Sequence, residues 1–463
     1  MIALVDCNNF YVSCERTLDP SLNGRPVIVL SNNDGVVISR SNEAKALGIP
    51  MAAPVYQYKE IIAKHRVVSF SANFNLYMQL SERVMAIVND YSPEVEVYSV
   101  DEAFIDMTGL EWKQPEQYLA SLRKRILDEV GIPVSIGIAE TKTLTKVASE
   151  IVKKRQLPEG VLNICGEEHR TGYLQTLPVG DLWGVGRRFG AFLADQGIRT
   201  ALELMNQPDA WVLKHLHIGG LKMVWELRGI PCFGVEANLT PPKQIMRSRS
   251  FGNYVTSIDE LKEAAALFTS MAAESLRAHK LIAGVGGVFL HTNLFNDDEK
   301  YSNSVNDALV EPTAYTPDLI AHMHRLLESI YRPGYRYRKL GVILTDLFPA
   351  EKMQLTFSFD EGSLKKHEAL MGTLDKLNSK YRENHLVMLA AEGIEHAWRS
   401  KQEHLSTDSP AYVDPKERTR FLTTVSAPSP NKMRPKREQY ALDPAQDARA
   451  LGKQIAERMM AKR

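Results

Sequence analysis

The sequence predicts an α+β protein built of several units, on three observations. Its 463 residues exceed what one ordinary domain holds, and 44% hydrophobic with 24% charged residues is the balance of a globular chain. Residues 1 to about 170 alternate strand-like and helix-like patterns, and a second alternating stretch runs from about 243 to 350. Between them, from about 171, the texture changes to helices joined by glycine-rich turns.

The elements follow in order. An apolar run, Ile2-Ala3-Leu4-Val5, reads as a buried strand; it stops at Asp6, and the ring pair Phe10-Tyr11 comes soon after. "RPVIVLSNNDGVVISRSNEAKALGI" gives two short β-branched strands around the turn Asn32-Asn33-Asp34-Gly35. A short helix then starts near Asn42, read as its N-cap, and stops at Gly48. Residues 70 to 90 are helical in pattern, and "EVEVYSVDEAFIDMTG" is strongly β. "YLASLRKRILDEVG" is an amphipathic helix, "IPVSIGIAE" a strand and "TKTLTKVASEIVKK" another helix. Alternation of this kind makes a sheet with helices packed on one side.

"LPVGDLWGVGRRFGAFLADQGIRTALEL" sets a Gly-x-Gly turn before a basic helix, as in helix-hairpin-helix units whose backbone N–H groups contact phosphates. A tight loop between two core helices is the alternative. "EANLTPPKQ", with two prolines, reads as a linker. A second α/β unit with strands at both ends extends from "SRSFGNYVTSIDELKEAAALFTSMAAESLRAH" to "RYRKLGVILTDLF". One more helix falls near 362–380. From 411 to 463 the tail has twelve Lys/Arg against six Asp/Glu, a local excess hidden by the whole-chain balance of 56 against 56, and 405–440 reads as mobile.

Composition excludes several classes. No run approaches the ~18 apolar residues that span a bilayer, so no membrane partner is expected. No basic region precedes the short first strand, which predicts a cytoplasmic protein. Cys7, Cys14, Cys165 and Cys232 form no CxxC pair and no metal spacing, and read as reduced thiols.

Asp6 ends one strand, and Asp101-Glu102 lies between strand-like segments. Adjacent acids at a strand end are usually solvated, and a strand-end Asp can simply cap the next helix while the rings fill core. If the two strands are neighbours, however, three carboxylates converge, and like charges that close raise one another's pKa unless cations intervene. Hard oxygen ligands suit Mg²⁺, and two such ions ~3.5–4 Å apart activate an attacking oxygen and stabilise a leaving one. Phosphoryl or nucleotidyl transfer is the chemistry inferred.

"VDCNNFYVSCE", "SNNDGVVISRSNEAKALGI", "YSVDEAFIDMTG", "GIAETKTLTKVA", "LPVGDLWGVGRR", "ELRGIPC" and "RSRSFG", in this order from residue 1 to about 350, together resemble the Y-family DNA polymerases. The likeness is to the UmuC-like branch, the catalytic subunits of bacterial DNA polymerase V. The resemblance implies a right-hand architecture. Palm is 1–22 and 71–170, fingers 23–70, thumb 171–235, linker 236–242 and little finger 243–350; a C-terminal region covers 351–463. It places Asp6, Asp101 and Glu102 at the three metal-binding carboxylate positions for two Mg²⁺, with the Cys7 main-chain carbonyl as a further ligand. Tyr11 falls at the steric gate and Phe10 under the incoming nucleotide. Lys153, seven residues after Lys146, and Lys45 fall at triphosphate-contacting positions, while Asn42 stands where several relatives have tyrosine.

The resemblance further implies an error-prone translesion polymerase of SOS mutagenesis, with primer-template DNA and dNTP as substrates. A cleaved UmuD-type protein and a RecA filament are the implied accessory partners. Arg247 and Arg249 in "KQIMRSRS", beside Lys243, are candidate DNA contacts, as are Arg332, Arg336, Arg338 and Lys339; either stripe could be a solvated strand. "MQLTFSFD" is similar to the hexapeptide that binds the sliding clamp, with Gln354 leading and Phe357 and Phe359 as anchors; an ordinary short strand is the alternative. Beyond 405 the chain departs from the UmuC-like pattern. The competing classes are a palm-type nucleotide cyclase, opposed by the absence of a Gly-Gly-acidic signature, and a catalytically silent DNA-bound scaffold, opposed by the three carboxylates.

Overall fold

The computed structural model describes residues 1–108, 114–236, 241–352, 361–380, 398 and 401–406. In chain order, β1 (Ile2–Cys7) runs into α1 (Phe10–Leu18). β2 (Val27–Leu30), β3 (Val37–Arg40), α2 (Asn42–Ala46), α3 (Lys59–Lys64) and β4 (Val68–Ser71) follow. Next come α4 (Phe74–Tyr91), β5 (Val95–Val97), β6 (Glu102–Asp106), α5 (Pro115–Val130), β7 (Val134–Ala139), α6 (Lys142–Arg155) and β8 (Val161–Asn163). Four helices succeed them: α7 (Glu167–Thr176), α8 (Arg187–Asp195), α9 (Ala201–Met205) and α10 (Asp209–Leu227). β9 (Ile245–Val255), α11 (Ile258–Ala278), β10 (Leu281–Thr292), β11 (Ser302–Thr313), α12 (Thr316–Ile330), β12 (Tyr337–Pro349) and α13 (Glu361–Lys380) complete the described elements.

The described residues form two compact units, 1–17 with 76–236 and 18–75 with 241–406. In the first, a five-stranded sheet has the order β5-β6-β1-β7-β8. β1 is central, antiparallel to both neighbours, and all six of its residues are buried, which is why it reads as an unbroken apolar run. α6 packs across β1, β7 and β8. That approach depends on Gly137 in β7, where a Cβ would lie 2.2 Å from the Thr145 carbonyl oxygen and 2.6 Å from the Ser149 nitrogen. The Thr141 side chain caps α6 by accepting from Leu144 N–H. α7 to α10 build a second core around Leu174, Leu193, Leu204, Val212 and Leu227, shared with Val147 and Ile151 of α6. The glycine-rich turn expected there contains Gly184 at φ +90°, and α8 begins directly after Gly186.

The second unit holds two sheets. In β3-β2-β4, β2 is antiparallel to β3 and parallel to β4. The helix expected to be capped by Asn42 is capped by Ser41 instead: its buried hydroxyl accepts from Ala44 N–H at 3.2 Å, and Asn42 is the first helical residue. The other sheet, β11-β10-β12-β9, is antiparallel throughout and packs against α11 and α12, with Phe251, Phe268, Tyr337 and Leu340 in its core. The expectation of strands at its two ends holds. The two further strands between them, β10 and β11, were not singled out; β11 is a largely exposed, polar edge strand, so it lacks the apolar alternation that reveals one. The hexapeptide with Gln354, Phe357 and Phe359, and the tail after 406, lie outside the described residues.

Candidate active site

β1 and β6 are neighbours, and their register sets Asp6 directly opposite Glu102. One residue further, the Cys7 N–H donates to the Asp101 carbonyl at 2.8 Å, so the Asp101 backbone is pinned at the end of the same ladder. Asp101 is also held from its own loop, because Ser99 donates its hydroxyl to Oδ1 at 2.6 Å. On the other side of β1, Asn8 N–H bonds the Pro133 carbonyl at 2.9 Å, and Ser135 donates its hydroxyl to Asn8 Oδ1 at 2.8 Å. The chain leaves the sheet through Asn9, whose φ of 47° is the left-handed turn that launches α1.

α6 answers these acids with a stripe of lysines. Lys142, Lys146 and Lys153, at i, i+4 and i+11, rise on one helical face. Lys142 bonds Glu96 at 2.5 Å, Lys146 bonds Glu102 Oε1 at 2.7 Å, and Lys153 bonds Asp6. The Lys146 ammonium also lies 4.6 Å from the ring centre of Tyr98 and 5.5 Å from that of Trp183, a cation–π box that fixes its direction. Burial pushes the Asp6 carboxyl up to about 7; Lys153 pulls it down, and the charges of Glu102 and Asp101 push it further up. Burial likewise drives the Cys7 thiol well above its ordinary value, which keeps the sulfur protonated.

Phe10 is buried at the start of α1, and Tyr11 is half-exposed beside it, ring centres 5.7 Å apart. Tyr11 stacks on Tyr77 of α4 at 4.6 Å and 18°. Tyr77 is itself buried and donates its hydroxyl to Glu15 at 2.6 Å. The Tyr11 phenol is raised by burial and then by the charge of Asp101, which puts ring and carboxylate in one electrostatic neighbourhood.

The structure thus brings together Asp6, Cys7, Asp101, Glu102, Phe10, Tyr11 and Lys153. Among the described residues, no three His, Cys, Asp or Glu side chains are grouped as a preformed metal site; Asp6 and Glu102 are each turned onto a lysine. Lys45 is exposed in the last turn of α2, in the other compact unit. Arg247 and Arg249 lie on β9 opposite Val342 and Leu340, with no bulge between them, so they share a face as their spacing predicts. The second basic stripe is engaged with rings: Arg336 lies 4.3 Å and Arg338 5.7 Å from the centre of Tyr254, and Arg332 4.9 Å from that of Tyr301. The sequence reading missed Lys146 as a partner of Glu102, and Tyr77 as the backing of Tyr11. The lysine stripe on α6 was a readable signal for the first; nothing local to residue 77 announces the second.

A central strand ending in carboxylates, with a separate four-stranded antiparallel sheet, is the fold of the Y-family DNA polymerases. A Dbh–Dpo4 chimera of that family matches 75% of this chain and all of its own at a TM-score of 0.60 and 19% identity. An insertion ternary complex of Dbh DNA polymerase matches at 0.53 over 75% of this chain and all of its own, at 18% identity. By sequence, residues 5–150 match the impB/mucB/samB family and residues 242–357 its C-terminal domain, while 368–412 match a domain of unknown function (DUF4113). UmuC of Salmonella typhimurium is 39% identical over 88% of this chain and 97% of its own length. ImpB of the same species is 40% identical over 88% and 96%, and DNA polymerase IV of Brucella melitensis 29% over 82% and 83%. The chain belongs to the impB/mucB/samB family of UmuC-like, error-prone Y-family translesion DNA polymerases. Its active site is metal-dependent, as in the rest of the family.

Proposed function

We propose that Asp6, Asp101 and Glu102 form the nucleotidyl-transfer centre of this polymerase, holding two Mg²⁺ with the Cys7 carbonyl as a further oxygen ligand. The observation that carries the reading is the β1–β6 register, which sets Asp6 against Glu102 and ties Asp101 to the adjacent N–H. The donor set is hard oxygen throughout, and the buried Asp6 carboxyl is raised to about 7 although Lys153 is paired with it, so these residues fit a divalent ion. When bound, the two ions activate the primer 3′-oxygen and stabilise the leaving pyrophosphate.

The protein's own groups do the rest. The Lys153 side chain is 31% exposed, so it can leave Asp6 for an incoming triphosphate; one movement then neutralises phosphate and frees the carboxylate. The family resemblance supports Lys45 as a further triphosphate-binding residue. Phe10 and Tyr11 form the floor under the sugar, and Tyr11, backed by the buried Tyr77, excludes a 2′-hydroxyl by contact alone. Arg247 and Arg249 grip the backbone of primer-template DNA from the little-finger sheet without reading sequence.

In domain terms, 1–22 with 71–170 is the palm, 23–70 the fingers, 171–235 the thumb and 243–350 the little finger. The chain works in the cytoplasm in SOS mutagenesis, with a cleaved UmuD-type protein, a RecA filament and the sliding clamp; the family resemblance supports these partners. The test is Asp101→Asn in primer extension. Extension should fall by at least about 10³-fold with DNA binding retained, since a lost carboxylate removes charge stabilisation in a water-poor site. Near-normal extension would overturn the assignment.

A further inference from the structure

Residues 401–406 fall within the stretch that matches a domain of unknown function; they turn at Glu403–His404 and lie against the C-terminal end of β4, at the edge of the β3-β2-β4 sheet. The Ser71 N–H at the end of β4 donates to the His404 carbonyl at 3.0 Å, and the His404 N–H donates back to the Ser71 hydroxyl at 2.9 Å. Gln402 donates its side-chain amide to the Ala72 carbonyl at 3.1 Å. Two further N–H groups are met by the turn that the sequence marks with Asn32-Asn33-Asp34: Lys401 N–H bonds Asn33 Oδ1 at 2.8 Å, and Glu403 N–H bonds Asp34 Oδ2 at 2.9 Å. Asn33 and Asp34 are consecutive left-handed residues, φ 64° and 49°, a conformation Asn and Asp tolerate better than most. The Asn33 amide has a second engagement, donating to the Ser250 carbonyl of β9 at 3.0 Å.

The chain just before this segment is anchored in the other sheet's domain. Trp398 is buried in the core of α11, α12 and the four-stranded sheet, edge-on to Phe268 with ring centres 6.3 Å apart. α13 is fixed to the same domain by the two-pronged pair of Arg277 with Asp375 and by His367 stacked on Tyr315. One end of the strap therefore sits in the little-finger core and the other on the small sheet. Between small sheet and strap lies a cavity of about 550 Å³ lined by Leu30, Val55, Lys59, Ile62, Lys401 and His404.

We propose that the C-terminal end of β4 and the Asn33–Asp34 turn form a docking site whose occupant is this chain's own segment 401–406, and that the region of unknown function serves as a tie between fingers sheet and little finger. One main-chain bond at Ser71, with side-chain acceptors for the Lys401, Glu403 and His404 N–H groups, seats the segment at the edge of the sheet. The Asn33–Asp34 turn is the junction: its side chains hold the strap, and Asn33 also holds β9.

Two measurements test this on the full-length chain. Ser71→Cys with His404→Cys, oxidised, should give an intramolecular disulfide that neither single variant gives. Asn33→Gly with Asp34→Gly keeps the left-handed turn and deletes both acceptors. It should speed amide exchange across 401–406 and 68–71 by about tenfold or more, as loss of two hydrogen bonds requires. A disulfide joining two chains would show that a second copy occupies the edge and would overturn the proposal. So would failure of the cysteine pair to cross-link, or unchanged exchange in the glycine variant.

Discussion

At the residue scale, the site shows function written against stability. Asp6 is a buried carboxylate among like charges, and its folded pKa of about 7 lies above the unfolded value. Such a group favours folding in its neutral form: its contribution is fully present below the unfolded pKa and is lost as pH rises from about 4 through 7. Asp6→Asn should therefore raise the Tm of metal-free protein at pH 8 by several degrees, since it removes a buried charge worth a few kcal/mol. The same variant should lose extension. A lower Tm at pH 8 would mean that the Lys153 pair outweighs the burial. Tyr11 makes the complementary case. Its ring cannot retreat, because Tyr77 stands behind it with its hydroxyl on Glu15. Tyr11→Ala should admit ribonucleotides by about 10²-fold or more over the parent while deoxynucleotide addition stays measurable, since rejection by contact needs no hydrogen bond. Unchanged discrimination would place the gate elsewhere. The sequence exposed Tyr11 through its motif but not Tyr77. A residue 66 positions away that supplies only a flat surface leaves no pattern in the local sequence.

At the scale of elements, legibility followed burial only in part: β10 is largely buried yet was not read, its apolar run being broken by Gly284, Gly286 and Gly287. β1 and β7 are buried along their whole length and were read as strands, α5 was read as an amphipathic helix and α6 as a further helix. β11 is solvated and went unseen, and the cap of α2 was displaced by one residue because Ser41 and Asn42 are both good caps. The carboxylate triad was readable only as two strand ends, since pairing of β1 with β6 is a long-range fact that no local pattern encodes. Gly137 is where these elements depend on one another. Alanine there would press a methyl into the Thr145 and Ser149 backbone, and α6 would have to lift off β7. Gly137→Ala should destabilise the protein by about 3 kcal/mol, seen as a fall in Tm. Because α6 carries Lys146 and Lys153, extension should fall even at temperatures where the variant stays folded. Wild-type Tm would show that the helix has slack at this contact.

At the scale of the whole molecule, catalysis and recruitment are assigned to separate stretches of chain. The carboxylates, Tyr11 and the lysine stripe lie within residues 6–153, whereas the clamp-like hexapeptide follows β12 near residue 354. A peptide docking through two aromatic anchors loses most of its affinity when both are truncated, because buried aromatics dominate such interfaces. Tethering acts by raising the local concentration of enzyme at the primer end, so its loss leaves each catalytic step intact. Phe357→Ala with Phe359→Ala should therefore leave standing-start extension of a short primer unchanged and abolish stimulation by clamp loaded on a circular template. Phe357 stands where the commoner peptide has leucine, which makes a modest stimulation in the parent compatible with the assignment. Equal stimulation of parent and double variant would return "MQLTFSFD" to the status of a strand or loop. Failure on the short primer would instead make the segment part of the polymerase fold.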